Sequence, residues 1–249
     1  MIDTPDPALF AHVRAILSTP SPLARFIPGR HHADGDVVLT ETGQGAGSRH
    51  VIVLGPVSPE EVLSRAARFF SPNSVGSFEI VAETAPEMGR YLLRRGWTPD
   101  GEEPALVLPQ PPHVLPAPPD ALTVRIVADA AGLRDFRSIA CTPERFLPSL
   151  EAATTPGVAV LTGYVDGAPV ATSRVSVHGD VADIMGVVTH PDWRRRGFGT
   201  AMTWAALDRA VIMDARTFIL TATQLGYPVY RRMGFLPVCT LRSFEPPAA

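Results

Sequence analysis

The stretch VVTHPDWRRRGFGTAMTWAAL, Val187 to Leu207, leaves the chain few ways to fold around it. A β-branched run that began at Val181 ends at Thr189, and His190-Pro191 stops it. A basic loop with two glycines follows, and a helix is expected to begin at once, from Gly199 to about Ile212. Gly197 and Gly199 permit positive φ and let another group approach the backbone closely. The N–H groups freed by such a loop, and by the first turn of the helix, converge on one point where the helix dipole also favours negative charge. Arg194, Arg195 and Arg196 add positive charge beside it. A diphosphate is the kind of group that such a strand–loop–helix unit suits.

The segment PQPPHVLPAPPD, residues 109 to 120, marks the clearest boundary, because proline fixes φ and removes backbone donors. It separates an N-terminal mixed α/β domain (1–110) from a second domain (121–249), with 111–120 as linker. In the first half, helices are expected at Pro7–Ser18, from a Ser58 N-cap to about Phe70, and near Pro86–Arg95. Strands are expected near Asp36–Thr40, His50–Leu54, Ser77–Ala82 and Ala105–Leu108. The second half reads as a strand at Leu122–Val127, a helix from an Asp129 N-cap to Ile139, and a short helix at Pro143–Ala152. Strands Val158–Val165, Val170–Val177 and Val181–Thr189 then form an antiparallel meander, with a tight turn at Asp166-Gly167. Beyond the glycine loop and its helix come a strand at Phe218–Thr221, a helix at Pro228–Met233 and a strand near Val238–Phe244. The fold class is α/β (α+β). FEIVAETAPEMGRYLLRRGW (Phe78–Trp97) and FILTATQLGYPVYRRMGF (Phe218–Phe235) form a weak internal repeat. It matches Gly96 to Gly234, Ile80 to Phe218, Arg94 to Arg232, Trp97 to Phe235, and Leu92 to Tyr230.

Arg194-Arg195-Arg196-Gly197-Phe198-Gly199 resembles the Arg/Gln-x-x-Gly-x-Gly/Ala signature of the GNAT acetyltransferases, in its required place between strand and helix. The preceding Val-Thr-His-Pro-Asp is equally typical of that family. Tyr227-Pro228-Val229-Tyr230-Arg231-Arg232-Met233-Gly234-Phe235 resembles the family's second signature, an aromatic-rich helix ending in Gly-Phe. The resemblance covers roughly residues 122 to 246. It implies an N-acetyltransferase that uses acetyl-CoA as co-substrate and carries its acetyl group to an amine of a small molecule or peptide. A non-catalytic acyl-CoA sensor is the alternative. Two copies of the chain are a possible assembly.

The family pattern also implies roles for particular residues. Val187, Val188 and Thr189 would hydrogen-bond the pantetheine arm through their backbone, and the amides of Arg195 to Thr200, including Arg196, Gly197, Phe198 and Gly199, would cradle the diphosphate beside Arg194. Tyr230 matches the position of the tyrosine that often protonates, or hydrogen-bonds, the departing thiolate. Gln224 stands near a position where many members carry an Asn that touches the coenzyme. An alkylammonium with a pKa of about 10 must lose a proton before attack. Asp183 stands where some members place a catalytic Glu, and strand alternation would put Asp183, Met185 and Val187 on one face. The N-terminal half lacks such a loop and is expected to be a degenerate GNAT-like half that shapes the acceptor site without binding coenzyme.

Composition narrows the remaining classes. The net charge of −3 gives no reason to expect a nucleic acid or an anionic membrane as partner. Every basic residue other than histidine is Arg, so a Schiff-base lysine is impossible. His31, His32 and Asp34 fall in a Pro/Gly-rich loop, where no metal site is expected. Gly43, Gly45 and Gly47 are followed by a strand, so they read as a hairpin connection. Cys141 and Cys239 are expected to be buried and reduced. MIDTPDPALFAHVRAIL lacks a basic start followed by an apolar stretch, and a cytoplasmic protein is expected.

Overall fold

The computed structural model describes residues 4–20, 29–42, 48–70, 75–111, 114, 116–140 and 147–247. The first half runs α1 (Pro7–Ser18), β1 (Gly29–Asp34), β2 (Val37–Thr42), β3 (Arg49–Val53), α2 (Pro59–Phe69), β4 (Ser77–Val81), α3 (Pro86–Arg94) and β5 (Thr98–Leu108). The second runs β6 (Thr123–Ile126), α4 (Ala130–Ile139), α5 (Leu150–Ala153), β7 (Val158–Val165), β8 (Ala168–His178), β9 (Val181–Thr189), α6 (Phe198–Ile212), β10 (Thr217–Thr221), α7 (Tyr227–Arg232) and β11 (Leu236–Glu245).

Helix starts follow local chemistry. Asp6, Ser58, Asp129 and Ser149 each turn a side-chain oxygen onto orphan N–H groups of α1, α2, α4 and α5. Three elements depart from expectation. His31 and His32 lie on β1, where the His31 ring meets Thr40 Oγ1 (3.2 Å) and the Ser18 carbonyl (3.0 Å), while His32 stacks on Phe69. β5 begins at Thr98 and is far longer than the expected strand at 105–108, because its first half pairs with β11 despite Pro99, Gly101 and Pro104. Of the short helix expected at 143–152, residues 143–146 lie outside the described residues, and the described part is helical from Leu150, after Pro148 and the Ser149 cap. Gly43, Gly45, Gly47 and Cys141 lie outside the described residues, and Cys239 is buried in β11.

Among the described residues, all eleven strands form one sheet, ordered β1-β2-β3-β4-β11-β5-β10-β9-β8-β7-β6. Two adjacent pairs are parallel, β3 with β4 and β9 with β10, and helices α2 and α6 make the respective crossovers. The last strand of each half is exchanged: β11 lies against β4, and β5 lies against β10. The two exchanged strands pair with each other, from Thr98↔Glu245 to Leu236↔Val107. The offset that carries Gly96 onto Gly234 also carries Thr98 onto Leu236 and Val107 onto Glu245. The two end pairs therefore interchange, which is the mark of a local two-fold. Helix ends repeat it: Trp97 N–H donates to the Leu92 carbonyl and Phe235 N–H to the Tyr230 carbonyl, each at 3.1 Å. Both helices turn out through glycines of positive φ, +80° at Gly96 and +95° at Gly234, where a side chain would be strained.

Alternation along the strands separates the cores. Leu106 and Leu108 of β5 join Phe218, Leu220 and Phe235 beneath α6 and α7, whereas Ala105 and Val107 face α1 with Val181, Ile219 and Leu241. Phe244 of β11 enters the other half's core with Phe78, Ile80, Met88 and Leu92. Each half thus buries a strand of the other, and a fully buried Leu or Phe is worth about 1.5–3 kcal/mol. Among the described residues no helix is long and apolar enough to cross a membrane.

Candidate functional site

β9 and β10 pair only from Thr217↔Val181 to Ile219↔Asp183; beyond that point β9 keeps β8 on one side and its other edge is unpaired. A bulge drives the departure. The β8–β9 register slips between Thr172 and Arg174, so Gly186 and Val187 together oppose one residue, and Gly186 takes φ +61°. The Thr172 hydroxyl donates to the Gly186 carbonyl at 3.1 Å and pins the bulge. The splayed end of β9, the start of α6 and the segment 223–232 enclose a cavity of about 590 Å³.

The loop entering α6 holds its N–H groups open. A 3₁₀ turn at Pro191–Trp193 follows β9, Arg195 takes φ +63°, and Gly197 caps α6 at φ +80° with no side-chain cap. Ala201 N–H is the first in α6 to find a helical acceptor, the Gly197 carbonyl at 3.0 Å. Among the described residues, no backbone N–H from Arg195 to Thr200 has a protein acceptor. A Cβ on Gly199 would lie in ordinary contact with Thr189 Oγ1, 3.5 Å away, so Gly199 stands at the seam between helix and strand. Alanines at 201, 206 and 210 let α6 lie close on the sheet, and Ser173 Oγ donates to the Met202 carbonyl at 2.9 Å.

Tyr230, only 8% exposed, lines this cavity from α7. Burial pushes its phenol above the ordinary range, opposed by the Thr203 hydroxyl, so it carries its proton at neutral pH. Gly226 lies under the ring: a Cβ there would sit 2.8 Å from Tyr230 Cε2. Desolvation pushes the Asp183 carboxyl up to about 6, with the Arg174 guanidinium opposing.

The cavity wall brings together Val187, Val188, Thr189, Arg194, Arg195, Gly197, Phe198, Gly199, Thr200 and Tyr230. Three expected residues stand apart. Arg196 lays its guanidinium over the Trp193 ring at 4.7 Å, so only its amide faces the loop. Gln224 is exposed, and its neighbours Thr223 and Leu225 line the cavity instead. Asp183 does not share a face with Val187: the bulge reverses the alternation, leaving Val187 against the α6 core, while Asp183 follows Val181 toward α1. Sequence reasoning also missed Thr223, Gly226, Val229 and Arg232. Thr223 carried a readable signal, a hydroxyl ahead of a helix, and its Oγ1 accepts from Gly226 N–H at 3.2 Å. Among the described residues no cluster of ligating side chains could hold a metal ion.

Residues 132–235 match the model of the acetyltransferase (GNAT) family. The chain is similar in fold to a GCN5-related N-acetyltransferase from Kribbella flavida, with a TM-score of 0.70 and 23% identity over 97% of this chain and 96% of that one. A GCN5-related N-acetyltransferase from Sphaerobacter thermophilus aligns with a TM-score of 0.56 and 17% identity over 87% and 83% of the two chains. A tandem GNAT protein from the clavulanic acid biosynthesis pathway aligns with a TM-score of 0.59 and 13% identity over 94% and 86%. No curated protein matches the sequence. Residues 132–235 are therefore a GNAT acetyltransferase domain, and the GNAT fold extends through nearly the whole chain.

Proposed function

We propose that the chain is an acetyl-CoA-dependent N-acetyltransferase whose acceptor is a primary amine of a small molecule or peptide. The observation that carries this reading is the row of acceptor-free amides from Arg195 to Thr200, on the wall of a cavity shared with the unpaired edge of β9 and with Tyr230. The amides hold the diphosphate, and the backbone of Val187, Val188 and Thr189 holds the pantetheine arm along the splayed strand. A β9 N–H polarises the thioester oxygen.

An amine attacks the thioester carbon directly, forming C–N as C–S breaks, so the chain must align two groups and move two protons. Tyr230, protonated at neutral pH, gives its proton to the departing thiolate. Asp183 takes the proton of the amine through water, since it lies across the sheet from the Val187 side chain. The N-terminal half closes the acceptor side: α1 packs on β5, β9, β10 and β11, on the face toward which Asp183 points. Residues 1–110 are thereby a degenerate GNAT-like half and 121–249 the catalytic one, joined by the proline-rich connector.

Calorimetric titration with acetyl-CoA tests the reading. Gly199→Asp places a carboxylate against the amides and is expected to weaken binding at least about a hundredfold, the worth of two lost charge-assisted hydrogen bonds. Binding by that variant as tight as in the parent chain would overturn the proposal.

A further inference from the structure

A second cavity, of about 240 Å³, lies in the first half of the chain between α2 and the β1–β2 hairpin. The sheet gives it a regular base. His32 stands opposite Leu39 and Asp34 opposite Val37, so two cross-strand pairs turn their side chains to one face. α2 covers them with Arg65, Arg68 and Phe69, which share one side of the helix at spacings of three and four. Val37 and Leu39 close the bottom and belong to the core, while Phe69 supplies an aromatic wall.

Two arginines bridge β1 and α2 and fix the frame of this space. Arg65 donates to the Asp34 carbonyl at 2.7 Å and meets its carboxylate at 3.2 Å, and Glu61 pairs with the same guanidinium. Arg30 donates to the Phe69 carbonyl at 2.8 Å, pairs with Glu41 and lies over the Phe69 ring at 4.6 Å. Both charges are thus answered within the protein. Arg68 differs: it lines the cavity, it is exposed, and among the described residues its side chain has no ionic partner. A guanidinium presents paired donors in a plane that fits a carboxylate. The volume is several times the share of one water, about 30 Å³. It falls below the range of about 300–1,000 Å³ that suits larger ligands, so a single ring is the size of guest it admits.

We propose that this cavity is a binding site for a small aromatic carboxylate, which sets its ring against Phe69 and His32 and its carboxylate on Arg68. The site is separate from the cleft beside the glycine loop. Among the described residues the two share no lining side chain, and strands β2, β3, β4, β11, β5 and β10 lie between β1 and β9 in the sheet. The first half thereby has a ligand of its own, and the assignment stands independently of the coenzyme reading.

The full chain is titrated calorimetrically with benzoate, with benzamide, which keeps the ring without the charge, and with acetate, which keeps the charge without the ring. Benzoate should bind saturably and at least about tenfold more tightly than benzamide, the worth of one charge-assisted contact. Acetate should also fall at least about tenfold behind benzoate, because it has no ring to bury against Phe69. Arg68→Gln alters an exposed position that the fold does not rely on, and should bring the affinity for benzoate down to that for benzamide. A parent chain that does not bind benzoate, or that binds all three compounds alike, overturns the site. So does an Arg68→Gln variant that holds benzoate as tightly as the parent.

Discussion

Asp183 is held at a cost to the fold, and replacing it should reveal that cost as a pH-dependent gain in stability. Its carboxyl is pushed from the ordinary 3.8 to about 6 because burial disfavours the charged form, while Arg174 only partly offsets this. The folded chain thus binds this proton more tightly than the unfolded chain. The associated stabilisation is complete below pH 3.8 and is lost as pH rises through about 6. At about 1.4 kcal/mol per pH unit, the displacement sets a ceiling of about 3 kcal/mol. Asp183 keeps some contact with solvent, and screening brings the expectation nearer to about 1–2 kcal/mol.

Asp183→Asn keeps the shape and removes the charge. Urea denaturation of the parent and the variant at pH 4 and pH 8 should show similar stabilities at the lower pH, with the variant ahead by about 1–2 kcal/mol at the higher. Glu79, which burial and the nearby Glu103 push up to about 7, gives the parent a second pH-dependent loss. It is present in both proteins, so the difference between them isolates Asp183. A variant whose stability follows the parent's at both pH values would refute the argument that burial of this carboxylate is what displaces its titration. The same substitution should abolish the rise in acetyl transfer between about pH 5 and 7 that a base titrating near 6 produces.

Other perturbations probe how the site is built. Leu106→Ala removes a fully buried side chain that the first half contributes beneath α6 and α7; it should cost about 3 kcal/mol in urea denaturation, in one transition for both halves. Two separate transitions would contradict the exchanged-strand architecture. Gly226→Ala places a methyl 2.8 Å from Tyr230 Cε2 and should force the ring aside, lowering the melting temperature by about 2–4 °C and the rate of thiol release with it. A variant that melts and turns over like the parent would show that Tyr230 has room to spare.

The features of this molecule that were legible in the sequence are those fixed by neighbouring residues. The Ser58 and Asp129 caps, the Asp166-Gly167 turn with φ +50° and +82°, and the loop from His190 to Gly199 depend on interactions within a few positions. What could not be read depends on partners distant in the chain. The bulge at Gly186 exists only in the pairing with β8, yet it decides which face Val187 takes and where β9 leaves β10. Pro99, Gly101 and Pro104 mask the first half of β5, because local propensity disfavours a strand that β11 nonetheless supports with an almost continuous ladder. Thr223 and Arg232 join the site only because α7 folds back opposite the glycine loop.

The repeated architecture also explains why, among the described residues, the candidate cleft opens beside the crossover of the second half. Both contain a strand, a crossover helix and a parallel strand, so fold alone would allow a cleft in each. In the first half, β3 has no bulge and pairs with β4 through its last residue, Val53↔Ile80, so these strands stay together. The helix that follows is closed as well: Ser58 Oγ accepts from Glu61 N–H at 3.2 Å, Pro59 offers no N–H, and Glu60 and Glu61 place negative charge where a phosphate would lie. Leu92 occupies the position matched by Tyr230 and is buried in the core. The features that a glycine-loop site needs are thus a bulge that splays neighbouring strands, an uncapped helix start and a polar side chain at the closed end. At the matched places these features stand together in the half whose loop reads Arg-Arg-Arg-Gly-Phe-Gly, whereas among the described residues the other half holds an unbulged β3, a capped α2 and the buried Leu92 there.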